Sequence, residues 1–150
     1  MEAKYTALDI ANWFILHNKV FVDEGVADNI TNLKLQKLLY YAQGVFLAAT
    51  DRPLFREDIL AWQYGPVVEE VYQKFKVYGA NGIVLDVYEI PDISKEDVML
   101  LKQVYDVFGK YSAIGLMNMT HSERPWKETG INSVINQNLI KDYFKRHYVS

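Results

Sequence analysis

The sequence predicts a mainly α-helical fold, a single compact domain of about six helices spanning residues 1–150 with one small antiparallel β-element. Three observations carry this. Apolar residues recur at three- and four-residue spacing along most of the chain, as in Leu35, Leu38, Leu39, Ala42, Phe46 and Ala49. Capping residues and breakers punctuate those stripes at helix-length intervals. Only the stretch ANGIVLDVYEIP leaves the helical period.

Taken in order, Thr6 caps a first helix, with Asp9 as its reciprocal capping-box partner and Ala7, Ile10, Ala11, Phe14 and Ile15 on one face. A second helix starts at Thr31 or Asn32 and stops at TDRP, because Pro53 disfavours a helical conformation at Arg52. Gly44 inside it costs about 1 kcal/mol relative to alanine, which points to the close approach of another helix. The third helix opens at GPVVEEVYQKF. There Pro66 suits the first helical position, Glu69 and Glu70 favour the positive end of the dipole, and Gly79 is the stop. Ile83, Leu85 and Val87 alternate as a short strand would, and Ile59–Tyr64 is the segment expected to pair with it. Ser94 with Asp97 opens a fourth helix that ends at Gly109, and Ser112 caps a short fifth helix through Met119. Asn136 or Asn138 begins the last, with Leu139, Ile140, Tyr143 and Phe144 inward.

A chain of 150 residues, half of them hydrophobic and 14% aromatic, has enough apolar surface for a stable core. It has no cysteine, which removes disulfides and thiolate chemistry and fits a reducing cytoplasm. No basic-then-apolar leader opens the sequence, and no run reaches the ~18 apolar residues of a membrane span. A net charge of −3 argues against non-specific nucleic-acid binding. The basic cluster Lys141, Lys145, Arg146 and His147 reads as a solvated helix face.

MTHSERPW, residues 119–126, concentrates the residue types of an active site. His121-Ser122-Glu123 matches half of a zinc-deaminase signature, but the cysteine ligands of the other half are missing. A Ser–His–acid triad would draw on Ser112, Ser122 or Ser133 with His121, and no nucleophile elbow positions any of them. KVYGANG lacks the spacing and lysine of a phosphate loop. A structural reading is more economical. Ser122 caps a helix whose free first turn holds Pro125, Thr120 ends the preceding helix, Trp126 anchors the segment and His121 fixes the bend. No catalytic, metal or cofactor residue is assigned.

Three stretches in this order, KLQKLLYYAQGVFLA (34–48), AWQYGPVVEEVYQKFKVYG (61–79) and LMNMTHSERPWKETG (116–130), resemble the Panacea antitoxin domain of SocA-like antitoxins and phage-associated GepA-type proteins. The closing NQNLIKDYF is similar to the C-terminal segment of that family. The resemblance implies a helical, cytoplasmic protein that neutralises a genetically linked protein toxin by direct binding, often on prophages or mobile elements. A cytoplasmic protease or unfoldase is the further partner it implies. The alternatives are a proteolytic adaptor or phage regulator acting on a host factor and, after those, a hydrolase using His121. The family pattern falls on Leu35, Lys37, Leu38, Tyr40, Gln43, Trp62, Tyr64, Gly65, Pro66, Val67, Tyr72, Thr120, His121, Pro125 and Trp126, as structural or partner-binding positions. Trp13, Trp62, Tyr64, Tyr41 and Arg124 form the pool from which an occluding interface would take its anchors.

Overall fold

In a computed structural model, which describes residues 2–150, the second helix of the chain is the element that the others surround. The first helix, α1 (Ala7–Asp23), begins as its sequence dictates. The Thr6 hydroxyl accepts from the Asp9 amide, and the Asp9 carboxylate accepts from the Thr6 amide. α2 (Asn32–Thr50) is capped by Thr31 and ends at Asp51, which adopts the left-handed conformation just before Arg52 and Pro53. Its buried residues run round most of its circumference and include Asn32, Gln36, Lys37 and Gln43 as well as the predicted apolar stripe. Ala49, expected on that stripe, is exposed at the last turn.

The β-element exists, with different partners from those expected. β1 (Leu60–Trp62) pairs antiparallel with β2 (Gly65–Val67) through a two-residue turn, in the register Leu60↔Val67, Ala61↔Pro66, Trp62↔Gly65. On its other side β1 meets residues 132–135. The Ala61 amide donates to Ser133 O at 3.0 Å, and the Asn132 amide donates to Ala61 O at 2.7 Å. Both flanks of Ile59–Tyr64 are therefore occupied by segments other than Ile83–Val87. Those residues form no strand: Ile83 donates to Ile30 O at 2.7 Å, and the chain beyond it runs on irregularly to residue 94.

This arrangement also corrects the expectation for Pro66. Ladder pairs alternate between hydrogen-bonded and non-hydrogen-bonded. With Trp62↔Gly65 closing the turn, Ala61↔Pro66 is a non-bonded pair, so proline gives up no ladder donor there. The third helix, α3 (Glu69–Phe75), starts three residues later and continues as a 3-10 turn (Lys76–Tyr78) to Gly79, the predicted stop.

α4 (Lys95–Phe108), capped by Ser94 and closed at Gly109, and α5 (Ala113–His121), capped by Ser112, follow the local signals, with α5 running two residues past Met119. A one-turn helix, α6 (Arg124–Lys127), and α7 (Gln137–His147), capped by Asn136, complete seven α-helices among the described residues. α2 packs against α1, α3, α4, α5, α7 and β2. Its close approach to α7 occurs at Gly44, where a Cβ would overlap the Phe144 ring.

Candidate functional site

Several family-pattern positions meet around Lys37 of α2. Lys37 is fully buried, and its Nζ donates to Pro66 O at 2.9 Å, a carbonyl that the non-bonded Ala61↔Pro66 pair leaves free. Burial without an opposite charge pushes the Lys37 amine down to about 7. Gly65, at φ 109°, brings the hairpin onto this lysine: a Cβ there would sit 2.7 Å from Lys37 Cε and 2.9 Å from Thr120 Oγ1. One residue earlier on α2, Gln36 accepts from the Val68 amide at 2.9 Å and donates to Asn32 Oδ1. Two turns after Gln36, Gln43 accepts from the Leu54 amide at 2.7 Å and donates to Phe55 O at 2.9 Å. Lys37, Gln36 and Gln43 thus tie the hairpin, the residue before α3 and the 54–55 loop to α2.

MTHSERPW lies against the same hairpin. Trp126 Nε1 donates to Trp62 O at 2.8 Å, and the His121 ring lies over Trp126 at a centroid distance of 4.2 Å. Ser122 is not the N-cap of α6. It terminates α5 instead, its hydroxyl donating to Met119 O at 2.7 Å, while the N-cap position falls to Glu123. Thr120 belongs to the last turn of α5, donating to Met117 O, and Pro125 lies inside the free first turn of α6 as expected.

Glu123 was not assigned a site role by the sequence, yet it is the most interconnected carboxylate of the chain. Its side chain turns away from the helix end into the core, where it accepts from Tyr40 and Tyr41 at 3.0 Å each and from Tyr148 at 2.5 Å. Burial raises its pKa against the opposing pull of the three hydroxyls. In return, burial and the adjacent carboxylate drive Tyr40, Tyr41 and Tyr148 upward. In the sequence Glu123 stands out as the last residue of the His121-Ser122-Glu123 signature, which points to none of these partners. The tyrosines that claim it come from α2 and from just past α7.

These contacts do not assemble a triad. Nε2 of His121 is the one buried side-chain polar atom without a partner among the described residues, and Glu123 is held by tyrosines. Ser112 caps α5. Of the proposed anchors, Tyr41 is fully buried beneath α4 and α7, stacked on Phe108 at 4.1 Å, and so leaves the pool. Trp62 packs edge-on against Tyr72 of α3, and Arg124 is paired with Glu128 at 2.6 Å. Tyr64, 61% exposed at the hairpin turn, stays available. Because it sits in the turn and not on a strand, the alternation that would place it beside Trp62 does not apply. In the C-terminal basic cluster, Lys141 and Lys145 pair with Asp51, and Arg146 pairs with Asp142.

Residues 35–127, from the first turns of α2 through α6, match the family model described as antitoxin SocA-like, Panacea domain. The chain belongs to the SocA-like Panacea antitoxin family. It is 32% identical over 141 residues to the antitoxin SocA of Caulobacter vibrioides (strain NA1000 / CB15N), covering 81% of this chain and 75% of that protein. No solved structure matches it. The Panacea match contains the whole Lys37–Gly65–Thr120 contact and the Trp62–Trp126 bond. The last two Panacea-region contacts described, at Gly44 and at Glu123, are completed by Phe144 and Tyr148 from outside it. Among the described residues, no helix is long and apolar enough to cross a membrane.

Proposed function

We propose that the chain neutralises a cognate, genetically linked protein toxin by binding it directly, in the cytoplasm, and that it acts as a rigid surface and not through bond chemistry. Membership of the antitoxin family carries the reading. The geometry supports it. Lys37, Gln36, Gln43, Glu123 and Thr120, five of the buried polar side chains, all have intramolecular partners that fix loops, the hairpin or helix ends. A body fixed in this way loses little conformational freedom on association, which favours tight occlusion of a partner's working surface.

Co-expression with the product of the adjoining open reading frame tests this. The expected outcome is growth arrest by that product alone, rescue by this chain, and co-purification of the two. A harmless neighbour that does not co-purify would remove the basis of the reading.

A further inference from the structure

Residues 84–92 read as three successive triplets, Val84-Leu85-Asp86, Val87-Tyr88-Glu89 and Ile90-Pro91-Asp92, each an apolar residue, a larger or stiffer one, and a carboxylate. Val84, Val87 and Ile90 are 55%, 89% and 84% exposed. Leu85 and Pro91 are partly buried, with Leu85 packed against the core. Asp86, Glu89 and Asp92 are exposed. The segment thus exposes apolar and acidic side chains side by side, Tyr88 at 48% exposure among them, with Leu85 and Pro91 turned partly toward the body.

The segment is held at its ends and by one side-chain bond, the Tyr78 hydroxyl donating to Val84 O at 2.7 Å. Ile83 is buried and bonded to Ile30, and the Ser94 amide donates to the Tyr5 hydroxyl at 3.2 Å. No backbone–backbone hydrogen bond involves residues 84–93. Beside it runs a groove of about 410 Å³ against α1, lined by Trp13, Val20, Tyr88 and Ile90 and by the charged Lys19, Asp23 and Lys102. Exposed apolar side chains grouped in this way beside a groove are what a protein ordinarily hides unless a partner covers them.

Charge indicates the partner's chemistry. Between Lys76 and Lys95 the sequence has three carboxylates and no lysine, arginine or histidine. Phosphate backbones and anionic lipid surfaces are repelled by such a row. A second copy of the chain is a poor complement, since its densest cation cluster is already paired with Asp51 and Asp142. We infer that residues 84–92 form the ledge by which this chain grips the protein it neutralises, and that the partner offers an apolar slot bordered by lysine or arginine. This inference rests on the neutralisation reading above.

The test uses the full chain and, as probe, the purified product of its adjoining open reading frame. Three proteins are compared with wild type: Val87→Ser with Ile90→Ser; Asp86→Lys with Glu89→Lys and Asp92→Lys; and Ile114→Ser, an exposed apolar residue of α5, as control. All changes are at exposed positions, and unchanged melting confirms folding. The apolar pair is expected to weaken binding on the order of 100-fold. The charge reversal is expected to slow association about tenfold and to abolish the salt dependence seen in wild type, with the control unaffected. Wild-type binding together with ledge variants that bind within about threefold of it would overturn the ledge and leave neutralisation intact. Absence of wild-type binding would overturn both. Wild type that self-associates through the ledge, and is made monomeric by the same substitutions, would identify a second copy as the occupant and overturn the inference.

Discussion

The Phe144 ring occupies the space that a side chain at residue 44 would need, so the glycine of α2 and the phenylalanine of α7 form one interlocked contact. Gly44→Ala should therefore destabilise the protein by about 1–3 kcal/mol through overpacking, although alanine favours the helix itself by roughly 1 kcal/mol. Urea unfolding measures the loss. If Phe144→Leu is introduced in the Gly44→Ala background, the combined loss should be smaller than the sum of the two single losses. Additive losses would mean that the two residues do not compete for the same space.

Glu123 accepts three tyrosine hydroxyls, two of them fully buried. Glu123→Ala strands those donors, and a loss of about 3 kcal/mol or more is expected. Glu123→Gln separates charge from hydrogen bonding. The folded state raises the Glu123 pKa above its ordinary 4.5, so the native protein binds more protons than the unfolded chain just above that value. Its contribution is thus most favourable below pH 4.5 and declines as pH rises toward the folded pKa. Subtracting the Glu123→Gln melting profile from that of wild type should isolate this decline, and a flat difference would remove Glu123 as its source.

The local signals were readable in the sequence, and the contacts between distant segments were not. Thr6, Thr31, Ser94, Ser112 and Asn136 cap the helices they were expected to cap because a cap depends on three or four neighbouring residues. Gly44 likewise signalled a close helix, though not which one. Pro66 failed because a helix start and a non-bonded ladder position both tolerate a missing N–H, and only the Trp62↔Gly65 turn decides between them. Tyr41 looked available because a helix buried on several sides shows its second apolar face only once α4 and α7 are in place. Glu123 was missed for the same reason: its three partners lie 25, 82 and 83 positions away.

Lys37 gives a second pH signature, of opposite slope. Its amine falls from the ordinary 10.5 to about 7 in the folded state, so between those values the unfolded chain binds more protons. The destabilisation from burying the ammonium is complete below pH 7 and is relieved as pH rises toward 10.5. Lys37→Met removes this slope and leaves Pro66 O without its donor. The stability of wild type minus that of Lys37→Met should accordingly rise between pH 7 and 10 by an amount on the order of 1–4 kcal/mol. A difference that is constant with pH would show that the lysine stays protonated where it is buried.

His121 separates architecture from chemistry. Its ring lies on Trp126, its Nε2 has no partner, and the neighbouring serine and glutamate are bonded elsewhere. His121→Ala should lower stability by about 1 kcal/mol through lost ring contact and leave partner binding and rescue of growth unchanged. Trp126→Phe should cost more, about 1–3 kcal/mol, because it also deprives Trp62 O of its donor and loosens the hairpin. The two proteins are to be compared by calorimetry and by growth rescue in the same cells. A His121→Ala protein with wild-type melting and wild-type binding that no longer rescues would show that the histidine does chemistry, and the account of this chain as a binding surface would have to be abandoned.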